Sequence, residues 1–254
     1  MTGTPRDPRR KEPDRLVSKV SRYQPLDERS HPAYASPRYA SSVYRSPREP
    51  LIPIRQTLSE LTGPSFGPEI LLPGDADLTS NAGTGSPALG ERIIIGGRVL
   101  EEDGRPVSNT LVEVWQCNAA GRYNHVSDTH DAPLDPNFLG AGRCLTDAEG
   151  RYRFVSIKPG AYPWRNHYNA WRPAHIHFSL FGPAFATRLV TQMYFPGDPL
   201  LPFDPMFNCV PDERARNRLL CALDWETTIP ETALGYRFDI VLRGPEETPM
   251  ETKR

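Results

Sequence analysis

Ile93-Ile94-Ile95-Gly96-Gly97-Arg98-Val99-Leu100 is a strand-length β-branched run, followed by the turn Asp103-Gly104-Arg105-Pro106 and then by Thr110-Leu111-Val112-Glu113-Val114-Trp115-Gln116. β-branched and aromatic residues fit a pleated surface and Asp-Gly reverses the chain, so the stretch predicts strands joined by a tight connection. The same grammar recurs downstream. Arg151-Tyr152-Arg153-Phe154-Val155 follows the turn Asp147-Ala148-Glu149-Gly150, and further strands are expected at 175–181, 187–195 and 236–242. One short helical candidate, 212–223, begins after a proline and is an excursion. Short strands without alternating helices indicate an all-β fold, an antiparallel β-sandwich with a long irregular N-terminal arm and few short helices.

Composition supports this outline. Prolines number 28 in 254 residues, roughly twice the usual share, and each lacks an N–H and fixes φ, which favours turns over long helices. Residues 1–50 are polar and Pro/Arg-rich, with too little apolar surface to fold alone, and are expected to form an extended arm. Residues 51–90 alternate short apolar pieces with turn clusters such as Thr62-Gly63-Pro64 and Asn81-Ala82-Gly83, an irregular lead-in. The sandwich is then expected over 91–245, with a tail at 246–254.

The net charge of −1 gives no general attraction to nucleic acid or an anionic membrane. Residues 1–48 do carry eleven Lys/Arg against five Asp/Glu, but acids and prolines interrupt the basic run, which favours a solvated arm over a polyanion site. No apolar stretch follows Met1 and none reaches bilayer-spanning length, so a cytoplasmic location without membrane contact is expected. Cys117, Cys144, Cys209 and Cys221 lack paired or framework spacing and read as free thiols, mostly buried.

The chemistry concentrates in one segment, Arg172-Pro173-Ala174-His175-Ile176-His177-Phe178. Histidines two apart on a strand share a face, so both imidazoles can reach one ion. Alone such a pair is more often a polar pair with structural hydrogen bonds, and imidazole suits iron, copper, zinc and nickel alike. Tyr162 lies in the loop Lys158-Pro159-Gly160-Ala161-Tyr162-Pro163-Trp164-Arg165, and Tyr123 follows the Trp115 strand in Gly121-Arg122-Tyr123. Taken singly, each tyrosine reads as a packing or turn residue.

Together these runs resemble the intradiol catechol dioxygenases, a likeness extended by Leu111-Val112-Glu113-Val114-Trp115-Gln116 and by Thr191-Gln192-Met193-Tyr194-Phe195-Pro196-Gly197-Asp198. It covers roughly residues 36–245. Arg45-Ser46-Pro47-Arg48, Thr57-Leu58-Ser59-Glu60 and Thr62-Gly63-Pro64 resemble in particular the β chains that act on protocatechuate with an α-chain partner.

The resemblance implies a non-haem Fe(III) held by Tyr123, Tyr162, His175 and His177. It implies a catechol substrate that chelates the metal as its dianion, with the group at Tyr162 accepting a catechol proton, and O₂ attacking the activated ring. For protocatechuate the product would be 3-carboxy-cis,cis-muconate. Arg172 would stabilise negative charge developing on the ring, and Gln192 would stand near the substrate. Trp164, Tyr194 and, on the arm, Tyr39 would contact substrate. An α chain of the same enzyme, in an (αβ)n hetero-oligomer, is the implied partner. Asn166-His167-Tyr168-Asn169-Ala170 is bulkier than the family pattern at the pocket mouth, and that pattern gives His167 no ligand role.

Two other readings remain. Gly97-Arg98-Val99 through Asn109, with 147–154, also resembles non-catalytic transthyretin-like sandwich modules, which need no Tyr/Tyr/His-x-His set. Catechol and hydroxyquinol 1,2-dioxygenases share the set but carry a helical N-terminal dimerisation region, unlike this basic, Pro-rich start.

Overall fold

The computed structural model describes residues 33, 35–49, 70–181 and 189–250. Most of the expected arm and the first part of the lead-in lie outside the described residues. Within them the chain is all-β with short helical pieces, built as two sheets packed face to face.

The first sheet centres on β1 (Arg92–Leu100), with β4 (Arg151–Ile157) antiparallel along one edge. Its other edge takes β10 (Leu234–Arg237) and then β11 (Ile240–Val241), both parallel to β1, and β9 (Ala222–Leu223) pairs outside β10. The sandwich is therefore mixed rather than purely antiparallel. The second sheet runs β3 (Ala141–Leu145), β2 (Leu111–Trp115), β7 (His175–Phe181), β8 (Leu189–Tyr194), all antiparallel. A two-residue ladder joins β5 (Tyr162–Pro163) to β6 (Trp171–Arg172).

Alternation decides what goes inside. Ile93, Ile95, Val99 and Phe154 from the first sheet meet Val112, Val114, Ile176, Phe178, Leu180 and Met193 from the second in one apolar core. Leu78 and Ala88 of the lead-in join this core, and Met250 packs against it.

The 236–242 run, expected as one strand, breaks at Phe238 and Asp239. Gly97 allows the break: a Cβ there would lie 1.9 Å from the Phe238 carbonyl oxygen. Asp239 Oδ1 then accepts the Arg98 N–H at 2.9 Å in place of a ladder partner.

The 212–223 helix is likewise shorter than expected. Asp212 caps α3 (Glu213–Asn217) by accepting the Arg214 N–H, but the chain then turns to pair with the end of β8 through Tyr194 N–H to Leu219 O and Cys221 N–H to Tyr194 O. Two other short helices frame the site, α1 (Ala40–Arg45) and α2 (Pro205–Asn208).

On the far face of the second sheet the alternate residues are Trp115 of β2, His175 and His177 of β7, and Gln192 and Tyr194 of β8. In an exposed sandwich this face would be wet. Here Tyr194, Leu201, Phe207, Val210, Ala215 and Leu219 form a second apolar cluster over one end of it. Every residue of β7 from His175 to Leu180 is consequently buried.

Candidate metal centre

Strand register assembles the site. His175 pairs with Tyr194 and His177 with Gln192 across β7 and β8, while Trp115 of β2 pairs with His177 from the other side. Cross-strand partners share a face, so these five side chains stand together. The β5–β6 ladder adds two more by setting Tyr162 opposite Arg172.

Tyr123 arrives from the turn after β2. Asn118 organises that turn: its carbonyl accepts N–H bonds from Gly121 and Gly160, and its side-chain oxygen accepts those of Ala120 and Arg122. The two tyrosine-bearing loops are thus tied through one residue. Tyr123 N–H also donates to Asp128 at 2.7 Å.

The rings form a continuous series. Tyr123 and Tyr162 meet edge to face at 5.2 Å between centroids, Tyr162 and His175 lie 5.4 Å apart, His175 and His177 4.9 Å, and Trp115 stacks on His177 at 4.7 Å. His175 Nδ1 lies 2.7 Å from the Pro173 carbonyl, which assigns it the proton and leaves the lone pair on Nε2.

Arg172, only 2% exposed, lies against one side of the series. Its Nη1 lies 3.2 Å from His175 Nε2 and 3.4 Å from Tyr162 Oη, and its Nη2 donates to Gln192 Oε1 and Tyr194 Oη, both at 2.7 Å. Trp164 stacks above the guanidinium, with Cζ 5.2 Å from the ring centroid. Tyr39 packs on Trp164 at 4.9 Å, and Ala40 N–H donates to Asn166 O, so the described part of the arm reaches the pocket mouth. All nine residues named from the sequence as site candidates are brought together.

Two were not foreseen. Asp204, fully buried, pairs with Arg172, and Trp115 backs His177. Asp204-Pro205 does carry a helix-start signal, a capping carboxylate before a first-turn proline, but nothing local ties it to an arginine 32 residues earlier. His167 packs between Trp164 and Tyr168 instead of joining the ring series.

Electrostatics favour the ligand-competent form at His175 and oppose it at Tyr162. Burial, then Arg172 and His177, hold the His175 pKa well below its ordinary value, keeping the imidazole neutral. Burial pushes the Tyr162 phenol up, opposed by the attraction and hydrogen bond of Arg172. For Arg172 the penalty of burial is outweighed by Tyr194, Asp204 and Tyr162, and its pKa lies well above the ordinary value.

Two phenol oxygens and two imidazole nitrogens on adjoining rings suit a transition metal, and phenolate oxygens favour a hard, highly charged one. Gln192 Nε2, buried and without a hydrogen-bond partner among the described residues, supplies a spare donor beside the set. The residues therefore fit a site for a hard transition-metal ion.

A two-sheet sandwich with two tyrosines and two histidines on its covered face is compatible with a class of oxidoreductases. The chain belongs to the intradiol dioxygenase family: a dioxygenase family model matches residues 61–244, and one for the N-terminal region of protocatechuate 3,4-dioxygenase β subunits matches residues 23–57. It is 64% identical over 227 residues to the protocatechuate 3,4-dioxygenase β chain of Burkholderia cepacia, covering 89% of this chain and 96% of the relative. The α chain from the same organism is 31% identical over 162 residues, covering 63% of this chain and 76% of the relative. Catechol 1,2-dioxygenase 2 of Acinetobacter lwoffii is 37% identical over 123 residues, covering 44% and 42%. Among the described residues no helix is long and apolar enough to cross a membrane.

Proposed function

We propose that this chain is the catalytic β-type subunit of a protocatechuate 3,4-dioxygenase, splitting the bond between the two hydroxyl-bearing carbons of protocatechuate with O₂ to give 3-carboxy-cis,cis-muconate. The observation that carries this reading is the unbroken ring series of Tyr123, Tyr162, His175 and His177, with Arg172 Nη1 beside Tyr162 and His175. The high identity and near-complete coverage of the β-chain relative support protocatechuate over simpler catechols. By the same relation an α chain is the partner in an (αβ)n assembly, and residues 91–245 form the catalytic unit preceded by an arm.

In this reading Tyr123, Tyr162, His175 and His177 would hold Fe(III), which would supply a Lewis acid able to bind the catechol as its electron-rich dianion. The protein does the rest. Tyr162, as phenolate, would accept one of the two catechol protons at Oη, the other passing to solvent hydroxide, and Arg172 Nη1 at 3.4 Å would donate to the resulting phenol oxygen. The guanidinium charge then stabilises negative charge on the ring in a site where burial weakens competing water. Gln192 Nε2 offers a hydrogen bond to a substrate oxygen, its Oε1 being held by Arg172 and Tyr194. Trp164, with Tyr39 packed on it, walls the pocket mouth, and Trp115 steadies the His177 ring.

The test is the visible spectrum of iron-replete protein co-expressed with its α chain, taken before and after anaerobic protocatechuate. A tyrosinate-to-iron charge-transfer band that shifts with substrate, and is altered in Tyr162→Phe, is expected. A colourless protein that holds no iron would overturn the reading.

A further inference from the structure

The five N–H donors of Arg172 face six acceptors, so something must decide which edge it presents to each. Asp204 takes two of them, Oδ1 from Nε at 3.1 Å and Oδ2 from Nη2 at 2.9 Å, a fork-to-fork pair. Nη2 is also engaged by Gln192 and Tyr194. That leaves Nη1 as the edge turned to Tyr162 and His175.

Asp204 is itself held on several sides. Its N–H donates to Leu200 O, its Oδ1 accepts the Met206 N–H at 3.2 Å as N-cap of α2, and its carbonyl accepts from Asn208 Nδ2 at 2.8 Å. The carboxylate is thus fixed by backbone before it meets the arginine. A buried carboxylate also balances the arginine's charge, so Arg172 stays fully buried without drawing a second anion from the site.

We propose that Asp204 is a positioning residue for ring cleavage: it fixes the rotation of the Arg172 guanidinium so that Nη1 alone faces the reacting ring and Tyr162. This rests on the reading of the site given above. Asp204 touches neither substrate nor metal in this scheme and acts only through Arg172.

The decisive variant is Asp204→Asn, in the iron-loaded complex with the α chain. Asparagine still caps α2, but it loses the charge and one of the two acceptors that lock the fork. The expectation is a fall in kcat of about 100-fold, the scale of a small misplacement of a catalytic group, with KM for protocatechuate and the anaerobic dissociation constant changed less than about threefold. Iron content and the charge-transfer band of the resting protein should match wild type.

Asp204→Glu provides a second test should Asp204→Asn fail to fold. It keeps the charge but moves the carboxylate by one methylene, and kcat should fall about tenfold with the band intact. Asn208→Ala removes one support from the same turn but leaves the Asp204 carboxylate on Arg172, and should lower Tm with a loss of kcat well below that of Asp204→Asn.

Wild-type kcat in Asp204→Glu or Asp204→Asn would overturn the proposal. So would an equal loss of kcat in Asn208→Ala, which would make the turn and not the carboxylate responsible. Failure of the site reading itself is distinguishable, because it removes the band and the activity from the wild-type protein, and the Asp204 role falls with it.

Discussion

The separation of the two tyrosine loops rests on backbone contact at Gly121, and replacing that glycine should both destabilise the fold and spoil the proposed metal centre. Gly121 has φ +79°, and a Cβ there would lie 2.1 Å from the Ala161 carbonyl oxygen, immediately before Tyr162. Alanine carries two penalties. The left-handed backbone costs a β-carbon about 1 kcal/mol, and forcing the loops apart in a packed region adds about 1–3 kcal/mol. Gly104 isolates the first penalty: its φ is +80°, and nothing lies within 4 Å of a Cβ. At roughly 2–4 °C per kcal/mol for a domain of this size, Gly104→Ala should lower Tm by about 3 °C and Gly121→Ala by about 10 °C. Thermal unfolding of the metal-free proteins, with the visible spectrum after iron loading, measures both effects. Gly104→Ala should keep the charge-transfer band, while Gly121→Ala should lose or displace it as Tyr123 and Tyr162 move apart. Equal Tm losses with both bands intact would refute the argument that close approach of these loops sets the donor spacing.

Other expectations are more local. The Tyr152 hydroxyl donates to the Phe238 carbonyl at the break between β10 and β11, so Tyr152→Phe should cost about 1–3 kcal/mol in urea unfolding without changing kcat. Burial pushes the thiols of Cys117, Cys144, Cys209 and Cys221 up to about 12, leaving a thiolate fraction of about 10⁻⁴ at pH 8. Thiol titration of native protein at pH 8 should therefore find no fast-reacting group, against four after denaturation. Arg172→Lys retains charge but cannot satisfy the carboxylate fork, Gln192 and Tyr194 together, and should lose kcat by at least the factor expected for Asp204→Asn.

Much of this was legible in the sequence where local chemistry and tertiary demand agree. The 175–181 strand coincides with β7 because alternation puts Ile176, Phe178 and Leu180 in the core and both histidines on the other face. The proposed ligand set was legible only through family resemblance, since neither tyrosine carries a local metal signal. β3 was not anticipated. Ala141-Gly142-Arg143-Cys144-Leu145 has no β-branched residue, and Gly142 is needed because a Cβ would meet Asp75 O and Leu78 Cδ1, each at 2.5 Å. Parallel pairing of β10 and β11 with β1 depends on a return across the sheet that no local pattern encodes. Helix propensity over 218–223 yields to pairing with Tyr194 and β10 for the same reason.

The irregular excursions explain why a sandwich can host this chemistry. A sandwich normally buries one face of each sheet and wets the other, and a wet face would screen Arg172 and hydrate both imidazoles. Here the segment after β8 folds back as α2 and α3, carrying Phe207 to the back of Tyr194 at 5.2 Å and Asp204 to Arg172. One piece of chain thus supplies the apolar cover that makes a charge on the sheet expensive to bury and the carboxylate that makes it tolerable. Neither works alone: cover without Asp204 would strand a cation, and Asp204 without cover would compete with water for the guanidinium. Their short spacing in the sequence, three residues apart, means that a shift of this turn perturbs exclusion of water and orientation of Arg172 together. Loss of activity should therefore precede global unfolding when the 200–210 turn is loosened.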